Sequence, residues 1–229
     1  GYIEEHKNDG NLIDIMNCNE VISNLVPLLK QAILLTQKYD IVVTNPPYMP
    51  VSNAETKLND YVKKNYPDSK SDLFAVFIEK CGEMVNQNGY NCMVTMQSWM
   101  FLSSFEKMRE KLLTTKTITN LMHMENMVMG IAFGTVVTVF KYNYIKGFKG
   151  TYNYITLSDI KDDKPIEFPV IKNRFVQVSS DNFSKIPGSP IAYWVSKAVI
   201  STYTNGQLLG DIAFPKTGMT TGDNGRFLR

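Results

Sequence analysis

The tetrapeptide Asn45-Pro46-Pro47-Tyr48 restricts the fold more than any other part of the sequence. Two successive prolines fix two backbone dihedrals and remove two N–H donors, so neither a helix nor a central strand can pass through them. The six residues ahead, Tyr39-Asp40-Ile41-Val42-Val43-Thr44, are mostly β-branched and aromatic. They read as a short strand, apolar enough to be buried on both faces. A strand is therefore predicted to stop on a rigid turn at Asn45. In an open α/β sheet that is the edge where ligands bind. Ordinary residue frequencies give this tetrapeptide in roughly one of a thousand such chains, which favours a functional reading of the turn.

The surrounding sequence supplies the rest of such a sheet. Residues 20–38 read as a helix with Leu25, Leu28, Leu29, Ala32 and Leu35 on one face and Pro27 in its first turn. Residues 49–70 are polar and without period, and read as a long loop with one helical turn carrying Lys57, Lys63, Lys64 and Lys70. Ser71 or Asp72 caps a helix in which Phe74, Phe77, Ile78, Cys81 and Val85 recur at helical spacing, ending at Asn88-Gly89. A strand at 90–96 follows, and then Ser103-x-x-Glu106, a capping-box pattern for a helix to Leu113. Strands at 117–124 and 135–144, with Gly130 and Gly134 between them, close the pattern as antiparallel partners at the sheet edge. The alternation predicts an α/β domain with a mainly parallel sheet. Beyond Gly150 come short strand-like pieces, and Ser189-Pro190 opens a predicted helix through Tyr203.

Composition removes several function classes. A chain of 229 residues suits one core-bearing domain with an appendage. With 24 Lys and Arg against 22 Asp and Glu, bulk charge does not announce a nucleic-acid binder, so any such partner must be argued from local motifs. His6 and His123 are the only histidines, and Cys18, Cys81 and Cys92 form no Cys-x-x-Cys pair. No metal site is expected, and unpatterned cysteines fit a reducing compartment. No leader and no apolar run near the roughly 18 residues of a membrane helix are present, so a cytoplasmic location is expected.

The tetrapeptide resembles the catalytic loop of S-adenosylmethionine-dependent amino-group methyltransferases, which carry Asn, Asp or Ser before Pro-Pro and an aromatic. Adenine N6 is a poor nucleophile because its lone pair is delocalised into the ring. The Asn45 side-chain oxygen and the Pro46 carbonyl would hold the two amino hydrogens, favour a pyramidal nitrogen and aim its lone pair at the methyl group. The prolines keep that backbone stiff. Tyr48 would stack on the base, a contact worth about 1–3 kcal/mol, once the base has left the duplex. Without the resemblance, the same residues read as a rigid turn or a Pro-Tyr ligand for a WW-type module.

The resemblance extends further. Residues 70–79 are similar to the helix after the catalytic loop in the adenine-N6 family, which implies that Asp72, Leu73 and Phe74 line the cofactor's adenine pocket. On their own, Asp72 reads equally as a helix cap and Phe74 as core. Residues 96–103 resemble the next strand-to-helix junction. Residues 131–137 resemble a hairpin whose aromatic, here Phe133, flanks the flipped base; a buried edge-strand Phe is the plainer reading. Residues 186–194 and 220–229 are similar to the PglX adenine-specific methyltransferases of BREX phage-defence systems, relatives of type IIG restriction-modification enzymes.

This resemblance implies a partial Rossmann-like methyltransferase domain with a mixed sheet, its C-terminal part at 1–150, and a connector at 151–229 leading into a target-recognition domain. It implies site-specific adenine-N6 methylation of double-stranded DNA with a flipped adenine, S-adenosylmethionine as cofactor, and other phage-defence subunits as partners. Lys57, Lys63, Lys64 and Lys70 are then placed for DNA phosphates, or else form a solvated loop. Two other functions stay open. Protein-glutamine N5 methyltransferases share the tetrapeptide, although they typically end soon after the sheet, and 85 residues follow Tyr144 here. A non-catalytic DNA- or protein-binding subunit is the other.

Three weaker signals remain. The run from Lys141 to Lys149 interleaves basic and aromatic residues, as a phosphate-tracking surface or a plain hairpin would. Met122, Met124, Met127 and Met129 read as core filler or an adaptable surface. Asp223 and Arg226 are polar candidates for DNA contact. None of the 14 glycines forms Gly-x-Gly, and neither the family's cofactor loop nor its ribose-binding acid is found. The chain is therefore expected to begin within the domain, downstream of both, and to end near the target-recognition domain. Isothermal titration of residues 1–229 with S-adenosylmethionine is expected to give no micromolar binding; a micromolar isotherm contradicts this.

Overall fold

A computed structural model describes residues 12–128, 130–162, 164–168, 175–207 and 209–214. Helix α1 (Leu12–Thr36) leads into β1 (Tyr39–Thr44), and α2 (Thr56–Asn65) and α3 (Leu73–Glu83) follow the proline turn. Then come β2 (Val85–Met96), α4 (Glu106–Thr115), β3 (Thr117–Met124) and β4 (Thr135–Lys141). Strands β5 (Lys149–Ile155), β6 (Ile160–Lys161), β7 (Lys164–Pro165) and β8 (Phe175–Ser179) precede the helices α5 (Lys197–Asn205) and α6 (Leu209–Ile212).

Six of the strands form one mixed sheet in the order β1-β2-β4-β3-β5-β8. β1 runs parallel to β2, and β3 to β5, while β4 is antiparallel to both β2 and β3. Strands β1, β2, β3 and β5 thus point the same way, and their carboxyl ends share one edge. The α/β class and the mixed sheet match the sequence reading, but the sheet is not mainly parallel: three of its five strand pairings are antiparallel. The antiparallel β3–β4 pair lies inside the sheet, because β5 and β8 extend it.

Helices α3 and α4 cover one face. Phe74, Ile78, Met108 and Leu112 pack there against Met93, Ile118, Val136 and Phe140, each worth about 1.5–3 kcal/mol of apolar transfer. Residues after 150 join the same core: Tyr152, Phe183, Ile191 and Tyr193 belong to it. The boundary expected at residue 150 falls inside β5, and sheet and core continue across it.

Several local expectations are corrected. Residues 49–70 are not mainly loop: a 3₁₀ turn at Val51–Asn53 precedes the ten-residue α2. Only Val62 along that helix is buried, so it lacks the apolar periodicity that marks a helix in a sequence. β1 is not buried on both faces. It is the outermost strand, and Ile41 and Val43 are 64% and 69% exposed. The apolar residues placed on one face of the first helix are exposed on α1, and Pro27 sits inside that helix rather than in its first turn. Ser103 does not cap a helix; Ser103–Phe105 is a 3₁₀ turn, and α4 starts with Phe105 at its N-cap and no side-chain cap bond.

The helix expected to run to Asn88-Gly89 ends at Glu83. β2 begins at Val85 and carries Asn88 at φ 68° beside a register shift in β1. Gly89 belongs there because a Cβ would come within 2.6 Å of the Asp40 carbonyl oxygen. Ser189-Pro190 opens no helix. Ile191 N donates instead to the Met100 carbonyl at 2.9 Å, and α5 starts later, capped by the Ser196 hydroxyl accepting from Val199 N.

Arg109 holds this arrangement together. It is 1% exposed and makes no ion pair among the described residues. Its guanidinium donates to the carbonyls of Trp99 (2.8 Å), Leu102 (2.5 Å) and Gly188 (2.7 and 3.1 Å). Burial pushes its pKa down, but a guanidinium stays charged, and four hydrogen bonds to carbonyls replace its lost water. Replacing Arg109 with Leu strands three acceptors. A loss of about 2–4 kcal/mol is expected in urea denaturation; a change under about 0.5 kcal/mol contradicts this role.

Candidate active site

The proline turn leaves β1 at the carboxyl edge of the sheet, where Thr44 pairs with Met93 of β2. Asn45 is exposed, Pro46 buried and Tyr48 half-buried. The Tyr48 hydroxyl donates to Asn45 Oδ1 at 3.0 Å, so the first and last side chains of the motif are tied to each other. Burial pushes the Tyr48 pKa up, which keeps that hydroxyl a donor. Oδ1 has a second lone pair, and the carboxamide nitrogen makes no hydrogen bond among the described residues.

The exit of the turn is pinned to the start of α3. Met49 N donates to Asp72 Oδ1 at 3.0 Å, and Leu73 N to the Met49 carbonyl at 3.0 Å. Val51 N donates to the Ser71 carbonyl at 3.3 Å, completing a bridge between Pro50 and Asp72. The same Asp72 oxygen caps α3 by accepting from Phe74 N at 3.3 Å. Burial raises the Asp72 pKa, while its hydrogen bonds from backbone N–H groups pull it back towards the ionised form.

Tyr48 has two aromatic neighbours. Its ring centroid is 6.3 Å from Phe74 at 87°, and 5.8 Å from Phe133 at 67°. Phe133 precedes β4 and is half-buried at this edge. The structure thus brings together Asn45, Pro46, Pro47, Tyr48, Asp72, Phe74 and Phe133. Leu73 turns away into a second apolar cluster with Val51, Val62, Tyr66 and Val76. Lys57, Lys63 and Lys64 are exposed on α2, and Lys70 is exposed just before Ser71 and Asp72.

Other candidates resolve plainly. Lys141 lies over the Tyr90 ring at 4.6 Å and Lys116 over Tyr142 at 4.2 Å, so the basic-aromatic run is in part packed on the protein's own surface. Met124 is buried and Met127 is 51% exposed. Met129, Asp223, Arg226, His6 and the 220–229 motif lie outside the described residues. Among the described residues, no three His, Cys, Asp or Glu side chains gather as a metal site, and no helix is long and apolar enough to cross a membrane.

The family model of the Eco57I restriction-modification methylases matches residues 3–128, more than half of the chain and including the whole proline turn and α3. The chain belongs to that family. Two curated relatives of this Eco57I-type chain are the adenine-specific methyltransferase BrxX of Escherichia coli O9:H4 (strain HS) and the adenine-specific methyltransferase PglX of Lacticaseibacillus casei (strain Zhang). BrxX is 38% identical over 194 residues, 83% of this chain and 16% of BrxX. PglX is 37% identical over 226 residues, 94% of this chain and 18% of PglX. The chain therefore spans less than a fifth of the length of either. A solved chain of a type I restriction-modification system shares the fold, with a TM-score of 0.53 and 12% identity over 77% of this chain and 41% of that one.

The sequence presents His123 only as a possible metal ligand. In the fold it lies near the carboxyl end of β3 and is buried against Phe101, Tyr154, Tyr193 and Trp194. Nδ1 is 3.0 Å from the Tyr193 hydroxyl, and Nε2 is hydrogen-bonded to Gln97 Oε1. No local signal could have found this group, since its partners are 70 and 26 positions away.

Burial pushes the His123 pKa down to about 4. The folded state therefore prefers the neutral ring, whereas the unfolded chain takes up a proton near pH 6.5. This contribution is complete above about pH 6.5 and is lost as pH falls towards about 4, by up to about 3 kcal/mol. His123→Gln should flatten the slope of stability against pH across that window. Equal slopes in the two proteins contradict a buried neutral imidazole.

Proposed function

We propose that the whole protein is a site-specific DNA adenine-N6 methyltransferase of a BREX or restriction-modification phage-defence system, using S-adenosylmethionine on an extruded adenine. The observation that carries this reading is the tied pair Asn45 and Tyr48, set at the carboxyl edge of a sheet of the methylase family. The adenine-specific names of both relatives support the choice of base.

In this reading Asn45 Oδ1 and the Pro46 carbonyl accept the two N6 hydrogens. Holding both hydrogens draws the lone pair out of the ring and stabilises positive charge developing on nitrogen. The Tyr48 hydroxyl fixes the Asn45 carboxamide with its oxygen towards the substrate, so little reorganisation is needed when the amine arrives. Tyr48 then stacks on one face of the base, at about 1–3 kcal/mol, with Phe133 at its side. The exposed Lys57, Lys63, Lys64 and Lys70 contact phosphates of the DNA from which the base is drawn.

S-adenosylmethionine supplies the methyl group when bound. Of the residues expected at its adenine end, Leu73 and Phe74 are buried in apolar clusters and Asp72 gives Oδ1 to Met49 and Phe74, so Asp72 Oδ2 is the acceptor these three would offer it. They also fix the position of the turn.

Asn45→Ala in the whole protein should abolish N6-methyladenine, by at least about a hundredfold in rate, with DNA binding retained. Tyr48→Phe, which keeps the ring and loses the tie, should cost about tenfold. Both are read by mass spectrometry of digested DNA beside a DNA-binding titration. Unchanged methylation in Asn45→Ala contradicts the assignment, and an unmethylated host with an intact protein leaves the DNA-binding subunit.

A further inference from the structure

Gln97 sits one strand away from the proline turn at the same edge, immediately after Met96, which pairs with Thr135. Its backbone N–H donates to the Gly134 carbonyl at 3.1 Å. Its carboxamide lies flat against Gly134, where an added Cβ would come within 2.5 Å of it. Gly134 follows Phe133, the ring that contacts Tyr48. The carboxamide is thus packed on the residue that follows Phe133 in the chain.

Its orientation is set from behind. Oε1 can only accept, so the hydrogen between it and His123 belongs to Nε2 of the imidazole. In the neutral ring Nδ1 then accepts, and its donor is the Tyr193 hydroxyl at 3.0 Å. Tyr193 is held by stacking on Tyr152, centroids 5.2 Å apart and rings 16° from parallel. A carboxamide turned the other way would need the other tautomer, with Nδ1–H donating to the Tyr193 hydroxyl, but the structure places Oε1 of Gln97 on His123. With Oε1 committed to His123, Gln97 Nε2 carries two hydrogens and has no hydrogen-bond partner among the described residues. A relay of three side chains that ends on an unpaired donor does more than a core requires, since apolar residues would fill the same space without desolvation cost.

We propose that Gln97 is a further base-binding residue, donating from Nε2 to a ring nitrogen beside the amine, N1 or N7 of the adenine. His123 and Tyr193 are positioning residues that act through it. The inference rests on the methyl-transfer reading above. A donor at this place fixes the rotation of the base in its plane, which the stacking ring of Tyr48 leaves free, and so sets the direction of the amine.

The test is single-turnover methylation by the whole protein. The duplexes contain its own site, mapped as N6-methyladenine in host DNA, with adenine, 1-deazaadenine or 7-deazaadenine at the target. Gln97→Met is expected to slow methylation of adenine about tenfold with DNA affinity unchanged, and wild type to slow by a similar factor on one of the two analogues. Gln97→Met should be insensitive to that analogue, because the contact is already gone. Tyr193→Phe should show reduced sensitivity to the same analogue. Wild-type speed in Gln97→Met, or analogue losses as large in that variant as in wild type, overturns the proposal; full sensitivity in Tyr193→Phe removes the relay from it. Asn45→Ala, run alongside, separates the two levels. If Asn45→Ala methylates normally the methyl-transfer reading fails, whereas an inactive Asn45→Ala with additive Gln97 effects sinks this inference alone.

Discussion

One carboxylate oxygen of Asp72 accepts from Met49 on the exit of the proline turn and from Phe74 in the first turn of α3. Two strand-like backbone hydrogen bonds flank it, from Leu73 to Met49 and from Val51 to Ser71. The prolines make the turn stiff, and this clasp decides where the stiff piece points. Phe74 and Ala75, just after the cap, are fully buried in the main core, so the clasp is anchored in the part of the protein least able to move. Without it Tyr48 would lose its contact with Phe74, and the link to Phe133 would hang on one ring contact.

The sheet sets the second coordinate of the site. β4 runs backwards between β2 and β3, which brings Phe133, just ahead of it, to the edge where the parallel strands end. Asn45, Gln97, Phe133 and His123 come from four separate segments and meet there because strand direction places them so. The chain after β5 supports the edge from one side. Ile191 is hydrogen-bonded to Met100, Arg109 reaches Gly188, and Tyr193 reaches His123. The chain after β5 is thus packed into the sheet at least as far as Tyr193.

How much of each element can be read in the sequence depends on how local its constraint is. The turn at Asn45 is legible because proline carries its restriction within itself, and α3 because Asp72 and the Phe74 to Cys81 periodicity agree. α2 is not, since a helix that buries only Val62 shows little periodicity among its lysines. Ser189-Pro190 carries a sound helix-start signal, but burial of Ile191 and Tyr193 outweighs it, and the helix waits for Ser196. β1 looks like a strand buried on both faces, yet only Val42 of it packs against the core. Phe133 is found through its motif, whereas Gln97 and His123 depend on partners distant in sequence and can be found only in space.

In the proposed function the clasped turn holds an extruded adenine by its amine. The most direct measurement is a structure of the whole protein on a duplex containing its site, with a non-reactive analogue of the methyl donor. The target N6 is expected within hydrogen-bond distance of both Asn45 Oδ1 and the Pro46 carbonyl, with the base stacked on Tyr48 and Phe133 at its side. An adenine left stacked in the duplex, or extruded into a pocket that Asn45 does not reach, would contradict it.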